Sequence, residues 1–565
     1  MRRLFIALIA CLPLSAVGSP ANTTHRPDPE QDLPEVSIAT LHRDYTDHRY
    51  TATAVVQWYL DRIHRYNGIY RAVETVFDAP SLAAAAQVDA ELKAGRIPTG
   101  PLWGVPMVIK ANTSIQGTIT SAGWSGYTLP GHELIAPQDA PIVRRLKAAG
   151  AIVLGHSNMP DLANSDTNRS SAFGRTGNAY DPRYSPGGSS GGTVTSVSGN
   201  LALAGTGTDT GNSIRMPAAT SALVGVFPTR GLVSIAGIAP LDWLLDNTGP
   251  ITRTVEDAAT ILSVMAGDDP EDPATENAAQ HGDAGPYHPY LKPNALAGKR
   301  LGVPAFILNG TGIPFHGVPA AIPESVAKAR ELDATMPLQA PTRRVFEQAL
   351  QELRDLGVTI VAVEELGDEF AASASRIATY PYVREGTDRF LAAYGPTAYH
   401  SVAEYEQVTG QAGFAAVTGA EAANRDIGDT RLQQALIESD PAYAANVRDP
   451  RDRTRKLYDE VFDRLHLDGL VYPAIQMPPM DETLAQDGRL SEGPHSATGW
   501  VNMIGVPAVV VPGGWYANGL PFGLEFSARR WHDGELLGYA YAYEQATHHR
   551  RAPTLVTTGL ISGEP

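Results

Sequence analysis

Helical spacing of apolar residues, followed by a short apolar run, recurs along the chain and predicts helices that lead into buried strands. Residues 141–150 follow this spacing and end in Gly150, a common helix terminator, and residues 151–154 are apolar. The same unit returns at 343–363, with Gly357 between its two parts. Such units are typical of an α/β domain whose sheet is buried between helices.

One apolar run ends in a lysine. Residues 105–109 are apolar and predict a buried strand with Lys110 at its tip. Burial disfavours the ammonium form and lowers the pKa of a lysine, so such an amine can accept a proton near neutral pH. Taken alone, the residue fits better a strand-end lysine whose stem packs while its head stays in water.

Two segments, 185–192 and 205–217, hold too many glycines for helix interiors. Glycine permits positive φ and close backbone approach, so loops of this kind can turn several N–H groups toward one point and stabilise an oxyanion. For either segment alone, a flexible surface loop is the better explanation. The apolar residues 201–204 between them argue for function, because they anchor the second loop at the edge of a buried sheet.

Together these segments resemble the amidase signature family of serine amidohydrolases. That family has Gly-Gly-Ser-Ser-Gly-Gly before Gly-Thr-Asp-x-Gly-Gly-Ser-Ile-Arg-x-Pro, with two serines 24 residues apart, and Ser189 and Ser213 have the same separation. The flanks agree at Gly104-Val105-Pro106, Gly155-His156-Ser157-Asn158-Met159-Pro160, Asp246-Asn247-Thr248-Gly249-Pro250, Asn502-Met503-Ile504-Gly505-Val506-Pro507 and Gly519-Leu520-Pro521-Phe522-Gly523. The resemblance extends from about Val36 to about Arg551.

The resemblance implies that Ser213 is the nucleophile, Ser189 a relay hydroxyl and Lys110 the base. It also implies a cis peptide between Gly188 and Ser189. The implied oxyanion hole is formed by the backbone N–H groups of Thr210, Gly211, Asn212 and Ser213.

Further residues are expected around this centre. The family positions expected to support its loops are Ser190, Asp209 and Arg215. The candidate substrate-pocket residues are Trp124, Trp243 and Leu244, for which packing in the core is at least as good an interpretation.

Two departures from the family pattern bear on substrate range. Asn212 stands where the family usually has glycine, and Ala111 stands where an aspartate usually follows the lysine. Asparagine tolerates unusual backbone angles, so we expect the loop to keep its shape and the side chain to narrow the acyl site or to hydrogen-bond the substrate.

The resemblance also implies one large α/β/α domain over 36–555, with a central mixed twisted sheet flanked by helices. Residues 267–340 are rich in Pro, Gly and Asp and predict insertion-like loops, whereas 365–465 predict a mostly helical insertion.

Other catalytic classes fit less well. Residues 187–191 also satisfy the Gly-x-Ser-x-Gly nucleophile elbow of α/β-hydrolases, but the preceding 176–184 are polar rather than a buried strand. The chain has no His-Glu-x-x-His, paired Cys-x-x-Cys or phosphate-loop motif, so we expect no metal and no cofactor.

The amino terminus predicts export. Residues 1–18 have a basic start, an apolar core and a small-residue end, which is typical of a secretory signal peptide. A lipid attached to Cys11 is the minor alternative, and 19–35 predict an unstructured leader. We therefore expect an extracytoplasmic protein without a membrane span. Its net charge of −17 argues against nucleic-acid binding.

The main hypothesis is a secreted or periplasmic amidase that hydrolyses a linear carboxamide or N-acyl amide, with a small-molecule amide or peptide amide as its substrate. Two alternatives remain open. One is the amidase subunit of a tRNA-dependent amidotransferase, and the other is a non-catalytic binding protein of the same fold.

Overall fold

The computed structural model describes residues 27–281, 285–310, 319, 321–322, 324–411, 435–483 and 494–557. Its central feature is a sheet of eleven strands in the order β1-β3-β2-β6-β8-β7-β12-β13-β11-β9-β10, and β4 and β5 form a small separate hairpin. The strands are β1 Val73–Val76, β2 Pro106–Lys110, β3 Ile152–Ser157, β4 Arg169–Ser170, β5 Gly174–Arg175, β6 Ala204–Asp209, β7 Val224–Phe227, β8 Asn247–Thr252, β9 Arg300–Pro304, β10 Thr359–Val363, β11 Gly469–Pro473, β12 Ala508–Trp515 and β13 Pro521–Ser527.

The sheet is mixed. Strand β2 runs parallel to β3 and β6, and β9 runs parallel to β10 and β11. The remaining neighbours, including β6 with β8 and β12 with β13, are antiparallel. The predicted α/β class with a central mixed sheet is confirmed.

The described α-helices are α1 Pro29–Asp32, α2 Ile38–Thr46, α3 Ala52–Tyr70, α4 Asp78–Lys93, α5 Pro141–Ala148, α6 Gly191–Ser198, α7 Arg215–Thr220, α8 Val255–Met265, α9 Ala305–Asn309, α10 Glu324–Thr335, α11 Ala340–Asp355, α12 Asp368–Ser375, α13 Val383–Tyr394, α14 Val402–Thr409, α15 Asp449–Leu465, α16 Trp500–Ile504 and α17 Asp533–Thr547. Both predicted helix–strand units are present, as α5 with β3 and as α11 with β10.

Helices cover both faces of the sheet. Val510 of β12 packs in a cluster with residues of α6 and α7, whereas Val509 and Val511 belong to a larger cluster that includes α8 and α17. Successive side chains of a strand point to opposite faces, so these two clusters are the two cores of a helix–sheet–helix sandwich. Helices α6 and α7 begin at the two glycine-rich segments, and the sandwich therefore brings those segments to one face.

Two predicted segments contain more structure than their composition indicated. Within 267–340 the structure places β9, which pairs with β10 and β11 in the main sheet, and helix α10. Pro and Gly content did not reveal this short strand, because its pairing depends on strands distant in sequence. The described part of 365–465 is mainly helical. The division of the chain into leader, domain and insertion stays a prediction.

The predicted unstructured leader needs a correction at its carboxyl end. Residues 29–32 form α1. Asp32 accepts a hydrogen bond from Tyr50 Oη at 2.6 Å and forms an ion pair with Arg49 at 2.7 Å. Glu35 pairs with Arg550 at 2.8 Å. These partners are remote in sequence, so local composition could not predict them. The predicted signal peptide 1–18 and Cys11 lie outside the described residues. Among the residues that the structure describes, no helix has the length and apolar character needed to cross a bilayer.

Candidate active site

The site begins at the carboxyl end of β2, where Lys110 is fully buried. Strand β6 is a parallel neighbour of β2, with Met107 paired to Ala204 and Val108 to Gly205. The carboxyl ends of parallel strands lie at the same edge of a sheet, so this pairing places Lys110 beside Thr208.

Helix α6 brings the first predicted serine to the same place. The Gly188–Ser189 peptide is cis, as the family resemblance implied. A Cβ at Gly207 of β6 would lie 2.9 Å from Ser190 Oγ and 2.8 Å from Ile214 Cγ1. Only glycine allows Ser190 to come this close to β6, because any side chain would push the α6 segment away from Lys110.

Lys110 Nζ lies within hydrogen-bond distance of four oxygens. Ser189 Oγ is at 2.6 Å and Ser190 Oγ at 3.0 Å. Thr208 contributes its Oγ1 at 2.8 Å and its carbonyl oxygen at 3.3 Å. The structure therefore brings together Lys110 and Ser189, which were predicted to exchange a proton.

The partners of these groups determine which way each hydrogen bond points. Ser190 Oγ donates to the Thr208 carbonyl at 3.2 Å, and Asn112 Nδ2 donates to Thr208 Oγ1 at 3.1 Å. Ser190 Oγ has thus used its proton and accepts from Lys110, and Thr208 Oγ1 also accepts from the lysine. A neutral amine has two N–H groups, which these two acceptors occupy. Its lone pair is left for the hydroxyl of Ser189.

Burial favours the neutral form of the Lys110 amine near physiological pH. Desolvation lowers the pKa of Lys110 to about 7, although the carboxylates of Asp209 and Asp246 act in the opposite direction. Lys110 is therefore a buried amine with a lowered pKa rather than a strand-end residue with a solvated head. This shift fits the role predicted for it.

Ser213 lies in the turn between β6 and α7 and is 6% exposed. Its carbonyl oxygen accepts a hydrogen bond from Ser190 N at 3.1 Å, which links the two glycine-rich segments directly. The N–H groups of Ile214 and Arg215 donate to Asp209 Oδ2 at 2.9 and 3.3 Å. By contrast, those of 210–213, the predicted oxyanion hole, donate to no acceptor within the described parts of the chain. They remain available for a substrate oxygen.

The buried pair Asp209 and Arg215 contacts this turn, and its supporting role stays a prediction. Arg215 Nε donates to Asp209 Oδ2 at 3.1 Å, and its Nη2 donates to the Gly211 carbonyl at 2.7 Å. Burial by itself raises the pKa of Asp209, but the guanidinium and several N–H donors hold it below its ordinary value. Glu525 and Asn502 complete the network, with Arg215 Nη1 at 2.9 Å from Glu525 Oε1 and Arg215 Nη2 at 2.6 Å from Asn502 Oδ1.

Asp246 holds the other side of the same turn. Its Oδ1 accepts from Thr210 Oγ1 at 2.5 Å, and its Oδ2 accepts from Leu241 N at 3.1 Å. Desolvation raises the pKa of Asp246 to about 6. Asp246 thus contacts the predicted oxyanion loop through Thr210, and in its ionised form it also raises the pKa of Lys110.

The three candidate pocket residues make contacts that suit packing. Trp124 is buried against Tyr127 and Tyr405, with ring centroids 4.9 and 5.5 Å away. Leu244 is buried in a core cluster. Trp243 is half-buried, and its Nε1 donates to the Tyr382 carbonyl at 2.9 Å. Their role in substrate binding stays a prediction.

The two departures from the family pattern have simple structural settings. Asn212 does not adopt a positive φ, and its carbonyl accepts from Met216 N at 2.8 Å to start α7. The backbone here therefore does not require glycine. Ala111 is buried in a small apolar cluster with Met159 and Ala163, a setting that would be unfavourable for an aspartate.

The elbow alternative lacks its structural context. The last strand before Ser189 is the two-residue β5, which lies outside the main sheet, and α6 is the next element. A nucleophile elbow needs a buried strand leading into the serine.

Several residues of the site were not assigned a role from the sequence: Asn112, Thr208, Asp246, Asn502 and Glu525. Asp246 and Asn502 lie in motifs that supported the family resemblance, so their position was indicated although their contacts were not. Thr208 and Asn112 lie next to predicted residues, but only the strand pairing shows that their side chains meet at Lys110.

Comparison with known proteins agrees with this geometry. The family described as Amidase matches residues 54–332 and 325–537. The chain therefore belongs to the amidase signature family, and the resemblance seen in its motifs is confirmed. It is a hydrolase that acts on carbon–nitrogen bonds of amides, which sets aside a non-catalytic binding protein of this fold.

Similar proteins cover nearly the whole chain. The A subunit of glutamyl-tRNA(Gln) amidotransferase from Symbiobacterium thermophilum is 33% identical over 531 residues, 93% of this chain and 99% of that protein. Its namesake from a Synechococcus species is 30% identical over 544 residues, 93% of this chain and 95% of that protein. Among solved structures, native peptide amidase from Stenotrophomonas maltophilia has a TM-score of 0.72 and 32% identity, covering 92% of this chain and 99% of that one.

Proposed function

We propose that this chain hydrolyses a linear carboxamide or N-acyl amide in two steps, through an acyl group on Ser213. The observation that supports this most directly is the 2.6 Å contact between Lys110 Nζ and Ser189 Oγ. That contact lies inside the protein, where the lysine has a pKa of about 7. This contact supports the assignment of Lys110 as the base and Ser189 as the relay hydroxyl, and both lie beside the segment that carries Ser213.

In the acylation step, Ser213 Oγ attacks the carbonyl carbon of the amide. Its proton passes to Ser189 Oγ as the proton of Ser189 passes to Lys110 Nζ. The carbonyl oxygen becomes an oxyanion that accepts hydrogen bonds from the free N–H groups of 210–213, and one such donor is worth about 3–4 kcal/mol. The carbon–nitrogen bond then breaks, and the leaving amine takes a proton along the same path in reverse.

Water completes the cycle. A water molecule attacks the acyl carbon and gives its proton to the relay, and Ser213 recovers its proton as the carboxylic acid leaves. The proposal uses no metal or cofactor, because the lysine supplies the base and the backbone supplies the oxyanion donors. Esters should also be hydrolysed, since an alkoxide leaves more readily than an amine.

The likeness to peptide amidase makes a peptide with a carboxyl-terminal amide the first substrate to test. A small aryl amide with a chromogenic leaving group is the second. Both are linear amides whose carbonyl group can reach a site between two loops without a large protein interface.

Kinetics and covalent trapping test the proposal together. Ser213→Ala should abolish turnover with the fold retained, and Lys110→Ala should depress it strongly. Ser196→Ala is the matched control, since this buried serine of α6 bonds the Gly192 carbonyl at 2.8 Å, away from the lysine. A fluorophosphonate should add to Ser213, as located by mass spectrometry. Near-wild-type rates in either active-site variant, or an adduct on another residue, would refute the assignment.

The second candidate is the amidase subunit of a tRNA-dependent amidotransferase. The names of the curated relatives favour it over a free-standing amidase, and this chain covers 99% of one of them. The predicted signal peptide favours the free-standing enzyme. Purified chain alone should turn over the amide if it is free-standing, whereas an amidotransferase subunit should need its partner proteins for activity.

We also propose, from the pattern of residues 1–18, that the protein is exported and acts outside the cytoplasm. Expression of the full chain in a bacterium, followed by amino-terminal sequencing of the fractionated protein, tests this. Cleavage after Gly18 would support export, a lipid on Cys11 would support the anchored alternative, and an intact terminus in the cytoplasm would oppose both.

A further inference from the structure

Four arginines gather outside the catalytic centre without an adequate carboxylate partner. We call this group, Arg230, Arg451, Arg455 and Arg530, the arginine cluster. Each member is half-buried, and each donates to a backbone carbonyl rather than to an acid. In the described part of the chain, the nearest carboxylate oxygen is Asp452 Oδ1, 3.9 Å from Arg455 Nη1.

The carbonyls that receive these hydrogen bonds show that the side chains converge. Arg230 Nη2 donates to the carbonyl of Trp243 at 2.5 Å, and Arg451 Nη2 donates to the next carbonyl, that of Leu244, at 3.1 Å. Arg451 and Arg455 lie one turn apart on α15, which places them on one helix face.

A second pair of adjacent carbonyls closes the group. Arg451 Nε donates to Met503 O at 2.8 Å and Arg455 Nε to Ile504 O at 2.6 Å. A Cβ on Gly505 would lie 2.8 Å from Arg230 Cβ and 3.3 Å from Arg455 Nη2. Arg530 Nη2 bonds the carbonyl of Arg230 at 3.0 Å. Arg230, Arg451 and Arg455 therefore lie around two pairs of adjacent carbonyls, 243–244 and 503–504, and Arg530 joins them through the carbonyl of Arg230.

The cluster is electrostatically incomplete. Burial and the neighbouring arginines lower the pKa of Arg451 to about 10 and that of Arg455 to about 9. Two further nitrogens, Arg230 Nη1 and Arg530 Nε, are buried with no partner among the described residues. Buried donors of this kind are nearly always hydrogen-bonded, so unfilled ones indicate a missing acceptor.

Carboxylates in the neighbourhood act on the cluster only from a distance. Asp533 acts on Arg530, Asp246 on Arg230 and Asp242 on Arg451, but none of them forms an ion pair with that arginine among the described residues. The Asp533 carboxylate accepts hydrogen bonds from Thr229 N at 2.7 Å and from Thr229 Oγ1 at 2.6 Å. Asp452 and Asp459 have side chains 63% and 56% exposed. The adjacent Arg529 also has a buried Nε without a hydrogen-bond partner among the described residues, but it differs from the cluster because its Nη2 forms an ion pair with Asp463 Oδ1 at 2.5 Å.

We propose that the arginine cluster binds a phosphate group, either free or as part of an organic ester. Guanidinium groups offer paired N–H donors that match the oxygens of phosphate, and several of them together favour an anion with more than one charge. This inference is independent of the proposed amidase activity, since the cluster contains none of the residues assigned to catalysis.

The test measures the melting temperature of the full chain in a phosphate-free buffer at pH 8, where a phosphate group carries about two charges. Inorganic phosphate and phenyl phosphate are titrated against sodium chloride of equal ionic strength. Wild-type protein should show a saturable rise with phosphate that chloride does not give. Tighter binding of phenyl phosphate than of inorganic phosphate would assign the site to an ester, and the reverse order to the free ion.

Arg455→Gln and Arg530→Gln should each weaken the apparent Kd by about tenfold or more. Arg529→Gln, which removes a neighbouring but paired charge, should bind phosphate as the wild type does. Circular dichroism establishes that each variant is folded, and either cluster variant suffices if the other is not. The proposal is overturned if wild type shows no saturable shift, if the cluster variants bind as well as wild type, or if Arg529→Gln loses binding equally.

Discussion

Lys110 Nζ and Thr208 Oγ1 lie 2.8 Å apart across two parallel strands, and Asn112 Nδ2 donates to the same hydroxyl oxygen at 3.1 Å. Thr208 Oγ1 therefore accepts two hydrogen bonds, one from Asn112 and one from the lysine amine. Because the amine has its other N–H group on Ser190, Thr208 helps to aim the lone pair at Ser189 without itself exchanging a proton in the proposed reaction.

Removal of that hydroxyl should impair the base without removing it. Thr208→Val keeps the shape of the side chain but loses an acceptor for the amine, an interaction of about 1.5–3 kcal/mol, so kcat/KM should fall about tenfold to a hundredfold with KM little changed. Steady-state kinetics on a chromogenic anilide gives both numbers. Thr208→Ser restores the hydroxyl and should recover most of the rate. Equal losses in the two variants would show that packing, not the hydrogen bond, matters at this position.

The pH profile should report the lysine. The proposed base must be neutral, so kcat/KM should rise with pH, reach half its maximum near the pKa of about 7 and level off above it. Asp246 raises the pKa of Lys110, and Asp246→Asn removes that charge while keeping an oxygen for Thr210. The rising limb should then move to lower pH.

Asp257→Asn is the control for this shift. Its carboxyl is also buried and has a pKa raised by burial to about 6, but it bonds Ile38 N at 3.0 Å and is not among the groups that act on the lysine. A profile that moves equally in both variants, or that moves upward in Asp246→Asn, would contradict the assignment.

Glu525 should make stability depend on pH in the opposite sense to an ordinary ion pair. Burial raises its pKa to about 7 in spite of Arg215, whereas the unfolded chain releases this proton near its ordinary value of 4.5. Between these values the native state holds more protons, so the contribution of Glu525 to stability falls as pH rises. Glu525→Gln removes this dependence and should gain about 1–3 kcal/mol relative to wild type between pH 4.5 and pH 8.

Urea unfolding of both proteins at the two pH values measures that gain. Glu352→Gln supplies a control that should not share this dependence. Although burial raises the pKa of Glu352, hydrogen bonds from His549 and Tyr543 hold it below its ordinary value of 4.5. Its stabilising effect is therefore lost only as pH falls below that value, and the difference between this variant and wild type should change little between pH 4.5 and pH 8. Parallel behaviour of the two variants would mean that the pH effect arises elsewhere.

The motifs predicted which backbone segments meet at the site. They did not predict the contacts between side chains that lie far apart in the sequence. Lys110 and Ser189 could be predicted to meet because Lys110 ends β2 and Ser189 lies just before α6, both in motifs of a recognisable family core. The acceptors that orient the lysine could not, because a threonine in β6 has no sequence feature that distinguishes it from Thr206 two residues earlier. The end of the predicted unstructured leader is ordered for a similar reason. Asp32 pairs with Arg49 and Glu35 with Arg550, and these contacts form only when the chain folds.

Asn212 offers a test of acyl specificity. The residue has no positive φ, so replacing it with glycine removes a side chain without relieving backbone strain. The position precedes α7, where the added freedom of glycine should reduce stability by about 0.5–1 kcal/mol. Its half-buried side chain adjoins Ser213 in sequence, and we predicted that it narrows the acyl site or hydrogen-bonds the substrate. The first of these alternatives is tested here.

Asn212→Gly should therefore raise kcat/KM for bulky acyl groups relative to small ones, without changing the position of the rising limb in the pH profile. Anilides with acetyl, hexanoyl and benzoyl groups measure this preference with one leaving group. Asn212→Asp keeps the size of the side chain and should leave the order of the three unchanged. If glycine leaves the ratio of benzoyl to acetyl rates as it is in the wild type, the side chain does not restrict the acyl site.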